Sequence, residues 1–339
     1  MSAADTPLTL VDDVPIDIAV SRGASDRAYR GVSYIAGGTT LLLMALIAFF
    51  LVKRGWQAID YEGWGFFTKT EWNPTAAGGT FGVAALLLGT AIIAIIALAL
   101  AVPIAIGVAL FITEFAPRRV RKSLTSLVDL LAAVPSLIYG IWGAIILQPK
   151  EIYVSRFLSA HFAWFPGFHT TSVTGHGPTN LADFASSGFL AGIVVALMIL
   201  PISAAIMREV FAQAPPGEKE GALALGGTRW GVIRDVVVPF GRGGIVGGSM
   251  LGLGRALGET IAVALLVSRS TRTHDLLEVL KTGGNSIAAT IARSWAESSG
   301  MATSALIAAG LVLFVVTLIV NAGAAVVVNR SRSGATTEI

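Results

Sequence analysis

Long apolar stretches alternate with shorter polar segments along the whole chain. A helix that crosses a bilayer needs about 20 mainly apolar residues. Six stretches reach this length, at about 34–52, 83–112, 124–147, 188–207, 243–267 and 303–328. The pattern therefore predicts an all-α polytopic membrane protein with six transmembrane helices.

Composition supports this class and argues against others. Of the 339 residues, 54% are hydrophobic and only 13% are charged, whereas soluble domains average roughly 25% charged residues. Lipid must cover the excess apolar surface, which argues against a soluble enzyme and against a nucleic-acid-binding domain. The chain has no cysteine, which excludes disulfides, thiolate catalysis and cysteine-ligated metal sites.

Positive charge in the polar segments predicts the orientation of the chain. Lys and Arg collect in short cytoplasmic loops, and the segment 113–123 holds four of them in eleven residues. Placing both termini in the cytoplasm puts 14 basic residues inside and 9 outside, with Arg255 in the membrane. Lys53 and Arg54 argue mildly the other way. We therefore expect cytoplasmic tails at 1–33 and 329–339, cytoplasmic loops at 113–123 and 208–242, and extracytoplasmic segments at 53–82, 149–187 and 268–302.

Sequence signatures of catalysis are missing from the chain. There is no G-x-x-x-x-G-K-[ST] phosphate-binding loop and no G-x-S-x-G serine motif. The four histidines fall in predicted extracytoplasmic segments, and the spacing of the first three matches no helical metal pair. We expect that the chain alone is not an enzyme and that it binds no metal and no cofactor.

The fifth apolar stretch contains two charged residues. Arg255 and Glu259 fall in its hydrocarbon part, where an ionisable side chain costs roughly 2.5–3.5 kcal/mol on insertion scales and marks a candidate functional site. Their i, i+4 spacing predicts that both lie on one helical face, close enough to pair. One interpretation is a buried ion pair that fixes helix packing. The other is an anion pathway, in which the guanidinium offers a planar fork to a tetrahedral oxyanion and Glu259 competes with that anion.

Glycines precede this charged pair at regular intervals. Gly244, Gly248 and Gly252 recur every four residues, a spacing that permits close approach of a neighbouring helix. On a helical wheel, Gly248 and Gly252 fall within about 60° of the charged pair. We therefore expect the charged face to continue as a glycine groove.

The predicted cytoplasmic segment 208–242 has a helix–turn–helix pattern. Residues 215–217 indicate a turn, 218–225 form a predicted short helix, 226–227 break it, and 228–238 form a second amphipathic stretch. The pattern fits either a solvated hairpin or a surface presented to a soluble partner. In the second case the apolar contacts would come from Leu223, Leu225, Trp230 and Val232.

The same segment resembles the EAA loop of ABC-importer permeases, whose pattern is E-A-A-x3-G-x9-I-x-L-P. This chain has Glu220-Gly221-Ala222, Gly226 and Val236-Val237-Val238-Pro239 at the matching positions. The two Val replacements keep apolar side chains, whereas Gly221 in place of Ala costs about 1 kcal/mol of helix propensity. In that family the loop forms a coupling helix seated in a groove of the ATPase. The resemblance thus implies that ATPase coupling depends on Glu220, Gly221, Ala222 and Gly226.

Further motifs over residues 72–328 resemble the PstC-type permeases of phosphate-specific ABC importers. The most specific are AAVPSLIYGIWG at 132–143 and RALGET at 255–260. The resemblance implies a type I ABC-importer permease fold with a MetI-like core, placed at 83–328 with five helices. In that family the intramembrane Arg and Glu are implicated in phosphate passage, a role that carries over to Arg255 and Glu259.

The resemblance implies that the chain forms half of the transmembrane channel of an ATP-driven inorganic phosphate importer in the bacterial cytoplasmic membrane. The implied partners are a PstA-type permease, a PstB-type ATPase dimer and a PstS-type extracytoplasmic phosphate-binding protein. ATP and Mg are used by the ATPase. Two alternatives stay open, namely a permease for another oxyanion such as sulfate or molybdate, and a self-sufficient anion channel, which needs no EAA loop.

Overall fold

The computed structural model describes residues 23–74, 79–165, 167–170, 181–268 and 277–332. Helices build these ranges, and the β-type pairs found in them are isolated bridges. The α-helices in chain order are α1 (Ala24–Glu62), α2 (Gly65–Thr68), α3 (Ala84–Leu110), α4 (Arg118–Ala132), α5 (Ser136–Trp142), α6 (Gln148–His161), α7 (Gly188–Ala212), α8 (Pro216–Ala224), α9 (Arg229–Val232), α10 (Val238–Phe240), α11 (Arg242–Leu257), α12 (Ile261–Leu266), α13 (Ile287–Ser294) and α14 (Met301–Arg332). Single π-helical turns follow α3 at Phe111–Phe115, α5 at Gly143–Leu147 and α9 at Ile233–Val237.

Membrane-spanning candidates in the described residues agree with the predicted helical membrane fold. Four helices are long and apolar enough to cross a bilayer unaided, namely Ser25–Glu62, Ala84–Phe115, Gly188–Ala212 and Met301–Val328. Two bent helix pairs meet the same criteria together, which gives four spans, or up to six if each pair counts as one. Most of the predicted N-terminal tail, 1–22, and the end of the C-terminal tail, 333–339, lie outside the described residues.

The predicted third span folds as a bent pair. α4 and the helical segment Ser136–His161 meet at 86°. Pro135 lies at the corner with an extended backbone, φ −58° and ψ 138°. Proline lacks the N–H that would continue the α4 hydrogen-bond ladder, so α4 ends before it and α5 begins after it. The apolar run at 124–147 therefore follows two helix directions.

The predicted fifth span is interrupted near its end. α11 ends at Leu257, and α12 begins only at Ile261. The expectation of one continuous helix over 243–267 is therefore wrong. A second bend of 65° separates the helical segment Arg229–Phe240 from α11. Gly241 occupies this bend, where a Cβ would lie 2.3 Å from the Phe211 ring.

Helix α7 packs against α3, α4 and α11. Its buried side chains are apolar along most of its length, including Leu190, Val194, Ile199, Met207 and Phe211. Such burial on several sides is what the nearly continuous apolar sequence of α7 requires. Both parts of the interrupted fifth span, α11 and α12, therefore pack against a buried helix.

The structure divides into two compact units at Phe49 and Phe50. In the first unit, the apolar side chains of α1 are mostly exposed. In the second unit, the remainder of α1 packs on α14, where a Cβ on Gly55 would lie 2.9 Å from the Cα of Ala308. Ser304 Oγ donates a hydrogen bond of 2.9 Å to the Arg54 carbonyl, which fixes the register of this contact.

Candidate functional site

Arg255 and Glu259 lie at the interruption of the fifth span, in different local structures. Arg255 belongs to the last turn of α11 and is exposed. Glu259 follows the helix end and is 7% exposed. Its Oε1 accepts a hydrogen bond of 3.1 Å from the backbone N–H of Ala262. The carboxylate therefore caps the start of α12 and satisfies one of the donors that every helix start leaves open.

The expected ion pair between Arg255 and Glu259 is wrong. No ion pair joins these two residues, both of which the structure describes. An i, i+4 pair requires a continuous helix, and the chain leaves the helix at Gly258 before Glu259 is reached. Within the described ranges, Arg255 makes no hydrogen bond and no ion pair.

The regularly spaced glycines form the expected groove for a neighbouring helix, and α7 fills this groove. A Cβ on Gly244 would lie 2.5 Å from Val210 Cβ, and one on Gly252 would lie 2.8 Å from Ser203 Oγ. These glycines are buried and receive α7, so their spacing serves close helix approach. Ser203 Oγ reinforces the contact by donating 2.9 Å to the Gly248 carbonyl. Arg255 is therefore exposed on α11, although Gly244, Gly248 and Gly252 of the same helix are covered by α7.

Tyr139 lies close enough to Arg255 to interact with it electrostatically. Its hydroxyl donates a hydrogen bond of 3.0 Å to the Leu131 carbonyl. Next to it, Gly140 faces α12, where a Cβ would lie 2.9 Å from the Cα of Ala262. The structure thus brings the two most specific sequence motifs, 132–143 and 255–260, into one site. Nothing in the sequence pattern indicated that these motifs meet.

Arg293 is a further residue at this site that the pattern did not single out. Its Nε and Nη2 donate to the Ala264 carbonyl at 3.1 and 2.6 Å, and Nη2 also donates to the Val267 carbonyl. Ala264 lies in α12, and Val267 directly follows it. The only signal in the sequence was a cation in an otherwise apolar and small-residue part of 268–302.

The predicted coupling residues form a short exposed helix and its C-terminal cap. Glu220 and Gly221 lie in α8 and are exposed, while Ala222 is partly buried. Gly226 has φ +85°, a left-handed conformation that favours glycine at a helix end. The N–H of Gly227 donates 3.0 Å to the Ala222 carbonyl and closes the cap. A Cβ on Gly221 would meet nothing within 4 Å, so glycine is not required there.

Large apolar side chains are exposed around α8. Leu223 is 48% exposed, Leu225 is 92% exposed and Trp230 is 66% exposed. Val232 is buried and does not belong to this surface. Large apolar side chains grouped at a surface indicate contact with a partner. This observation favours a docking surface over a solvated hairpin for the segment 208–242.

A partly buried ion pair connects α8 to the end of α3. Lys219 Nζ lies 2.7 Å from Glu114 Oε1, and both side chains are about one fifth exposed. Glu114 belongs to the π-helical turn that continues α3. Nearby, Arg208 of α7 and Asp129 of α4 form a second pair at 3.5 Å. The segment 208–242, called the coupling segment after its predicted role, is thus connected by a charged contact to the end of α3.

In the described ranges, no group of three or more His, Cys, Asp or Glu side chains is arranged to hold a metal ion. His176 and His274 lie outside the described residues. The expectation that this chain binds no metal and no cofactor stays a prediction.

Comparisons with known proteins agree with the helical membrane fold. The family model described as the inner membrane component of binding-protein-dependent transport systems matches residues 101–333. The phosphate transport system permease protein PstC 2 of Mycobacterium tuberculosis is 41% identical over 332 residues, which cover 97% of this chain and 99% of that protein. The phosphate transport system permease protein PstC of Xylella fastidiosa is 41% identical over 291 residues, which cover 83% of this chain and 86% of that protein.

A solved structure supports the architecture independently. A chain of the crystal structure of a bacterial alginate ABC transporter, in complex with its pentasaccharide-bound periplasmic protein, matches with a TM-score of 0.57. The match covers 92% of this chain and 98% of that chain at 16% identity, so it shows the fold alone. Together with the family match and the PstC relatives, these findings show that the chain belongs to the family of binding-protein-dependent transport system inner membrane components, within its group of PstC phosphate transport permeases.

Proposed function

We propose that this chain forms one half of the transmembrane pathway of an ATP-driven importer of inorganic phosphate. The observation that carries the proposal is Arg255, an exposed cation without a hydrogen-bond or ion-pair partner within the described residues, at the interruption of an apolar helix. A charged side chain in this position is costly unless it serves a ligand or a water-filled path. The phosphate transport named for the 41%-identical relatives supports phosphate as the cargo.

Arg255 would contact the anion directly. A guanidinium offers two parallel N–H donors to a tetrahedral oxyanion, and its charge does not depend on pH in the physiological range. Tyr139 lies on the neighbouring α5 within electrostatic range and would border the same path. Glu259 would act differently from the initial expectation, because its carboxylate holds α12 and does not hold Arg255. Its contribution to passage would be to fix the interruption that exposes Arg255.

The surface around α8 would dock the ATPase. Docking would bury Leu223, Leu225 and Trp230, while Glu220 supplies an exposed charge at the centre of the same helix. Movement of α8 would be transmitted to α3 through the ion pair of Lys219 and Glu114. The chain would thus transmit energy released elsewhere and would not catalyse a reaction itself.

The complete importer would contain three kinds of partner. They are a PstA-type permease for the other half of the pathway, a PstB-type ATPase dimer that uses ATP and Mg, and a PstS-type extracytoplasmic phosphate-binding protein. Both termini and α8 would face the cytoplasm of a bacterial cell, in agreement with the basic segment 113–123. This chain would bind phosphate in passage and no cofactor.

Radiolabelled phosphate uptake at low external phosphate tests the proposal. Cells that lack this gene are compared with cells that carry the wild type, Arg255→Gln or the control Arg156→Gln, which changes an exposed arginine of α6, at matched membrane expression. We expect uptake with the wild type and with Arg156→Gln, and a loss of about 100-fold with Arg255→Gln, because the anion then loses its charged contact. Normal phosphate uptake without this gene, in cells with no redundant importer, would direct the same assay to sulfate and molybdate.

A further inference from the structure

The short helix α12 is held at both ends by charged side chains. At its start, Glu259 Oε1 accepts from the N–H of Ala262 at 3.1 Å. At its end, Arg293 binds the carbonyl oxygens of Ala264 and Val267. A negative charge at a helix start and a positive charge at a helix end both complement the helix dipole.

A helix of six residues depends on such contacts for its position. Helix α12 spans only Ile261–Leu266, so most of its backbone polar groups have no partner within the helix, and unpaired groups are costly in a membrane. Its flank is fitted closely to α5, where a Cβ on Gly140 would lie 2.9 Å from the Cα of Ala262. This contact limits sideways movement of α12, and Arg293 binds the carbonyl oxygens at its other end.

The Arg293 contact spans two parts of the chain that are distant in sequence. Arg293 lies in α13, and its guanidinium is partly buried between α13 and the end of α12. Three donor contacts to two carbonyl oxygens use the planar fork of arginine, which a lysine reproduces only in part. The helix α13 is in turn connected to α3, because the N–H of Ile287 donates 3.1 Å to Thr90 Oγ1.

We propose that Arg293 is a positioning residue for the translocation site. Arg293 holds the end of α12 and thereby fixes the backbone of residues 258–260. This backbone joins α11 to α12, so its position sets the orientation of the Arg255 side chain. This inference rests on the proposed function insofar as Arg255 is the residue that contacts the anion. Arg293 itself is occupied by backbone carbonyls and does not contact the cargo.

The test uses the complete importer in its membrane and a reporter that does not depend on the cargo. The chain contains no cysteine, so Arg255→Cys provides a single reporter thiol at the site. The rate at which a membrane-impermeant anionic methanethiosulfonate modifies this reporter thiol is measured with Arg293 intact, with Arg293→Met, with Arg293→Lys and with the control Arg156→Gln. Uptake of phosphate and copurification with the ATPase are measured for the same substitutions at residues 293 and 156 with Arg255 present.

We expect Arg293→Met to change the labelling rate of the reporter thiol and to lower uptake by about 10- to 100-fold, because misplacement of a site by about 1 Å has effects of that size. Arg293→Lys should give intermediate values, and Arg156→Gln should change neither quantity. Copurification with the ATPase should be retained throughout, because α8 is not part of this contact.

Two results would overturn the proposal. One is an unchanged labelling rate of the reporter thiol in both Arg293 variants, and the other is loss of assembly in both, which would make Arg293 a folding residue. An incorrect assignment of the cargo gives a different outcome. In that case Arg255→Gln leaves phosphate uptake unchanged, while the labelling of the reporter thiol still depends on residue 293.

Discussion

The coupling segment around α8 and the interruption after α11 are organised in opposite ways. Side chains of α8 and its cap point outward, and Leu225 is 92% exposed. At the interruption, the capping carboxylate of Glu259 is 7% exposed and its partner is inside the molecule. In the proposed function the first region contacts another protein, whereas the second is held by contacts within this chain. A substitution should accordingly affect association in the first region and transport itself in the second.

Glu220→Lys reverses a charge on the exposed helix α8 and should lower uptake more than the substitutions at Lys219, Glu114 and Glu259 described below. The residue is exposed in α8, so the chain should fold normally and insert into the membrane. Reversal of its charge at the proposed docking surface should abolish copurification with the ATPase, and uptake should be lost with it. Glu297→Lys, which changes an exposed glutamate far along the chain, is the matched control. Undiminished association of the Glu220 variant would refute the docking surface.

The ion pair of Lys219 and Glu114 joins α8 to the turn that continues α3. Lys219→Glu and Glu114→Lys should each lower uptake by about tenfold, equivalent to about 1.4 kcal/mol, because each places two like charges in a partly buried contact. Association with the ATPase should be retained, since neither change removes the exposed apolar surface. The double variant should restore uptake. Equal uptake in the double variant and the single variants would show that the pair does not transmit movement.

Substitutions of Glu259 distinguish two roles of its carboxylate, capping of α12 and competition with the anion. The effect of Glu259→Gln on uptake should be the smallest of the three. Glu259→Gln keeps an oxygen that accepts from the N–H of Ala262 and loses only the favourable charge at the helix start, worth roughly 0.3–1 kcal/mol. Uptake should therefore fall only a few-fold, whereas Glu259→Leu should cause a clearly larger loss because the N–H is left without an acceptor. Equal losses in the two variants would indicate that the charge matters and that the cap does not.

The membrane class and the coupling segment could be predicted because their signals are local in the sequence. Apolar run length sets the helices, and proline, glycine and the EAA pattern set α8 and its cap at Gly226. The assignment of Arg255 to a functional position also followed from one local fact, a charge in an apolar stretch. What failed was the extension of helical periodicity beyond Leu257 to Glu259.

Apolar run length and local motifs are enough to predict a bundle of apolar helices, with a charged position in one helix and a short helix between two others. The tertiary structure alone decided that Glu259 binds α12, that Tyr139 lies near Arg255, and that Arg293 holds the far end of α12. The physical reason is that a buried polar group requires a partner wherever the fold supplies one. For these residues the partners come from other helices or follow a break in their own helix, and the spacing of residues along one stretch does not encode them.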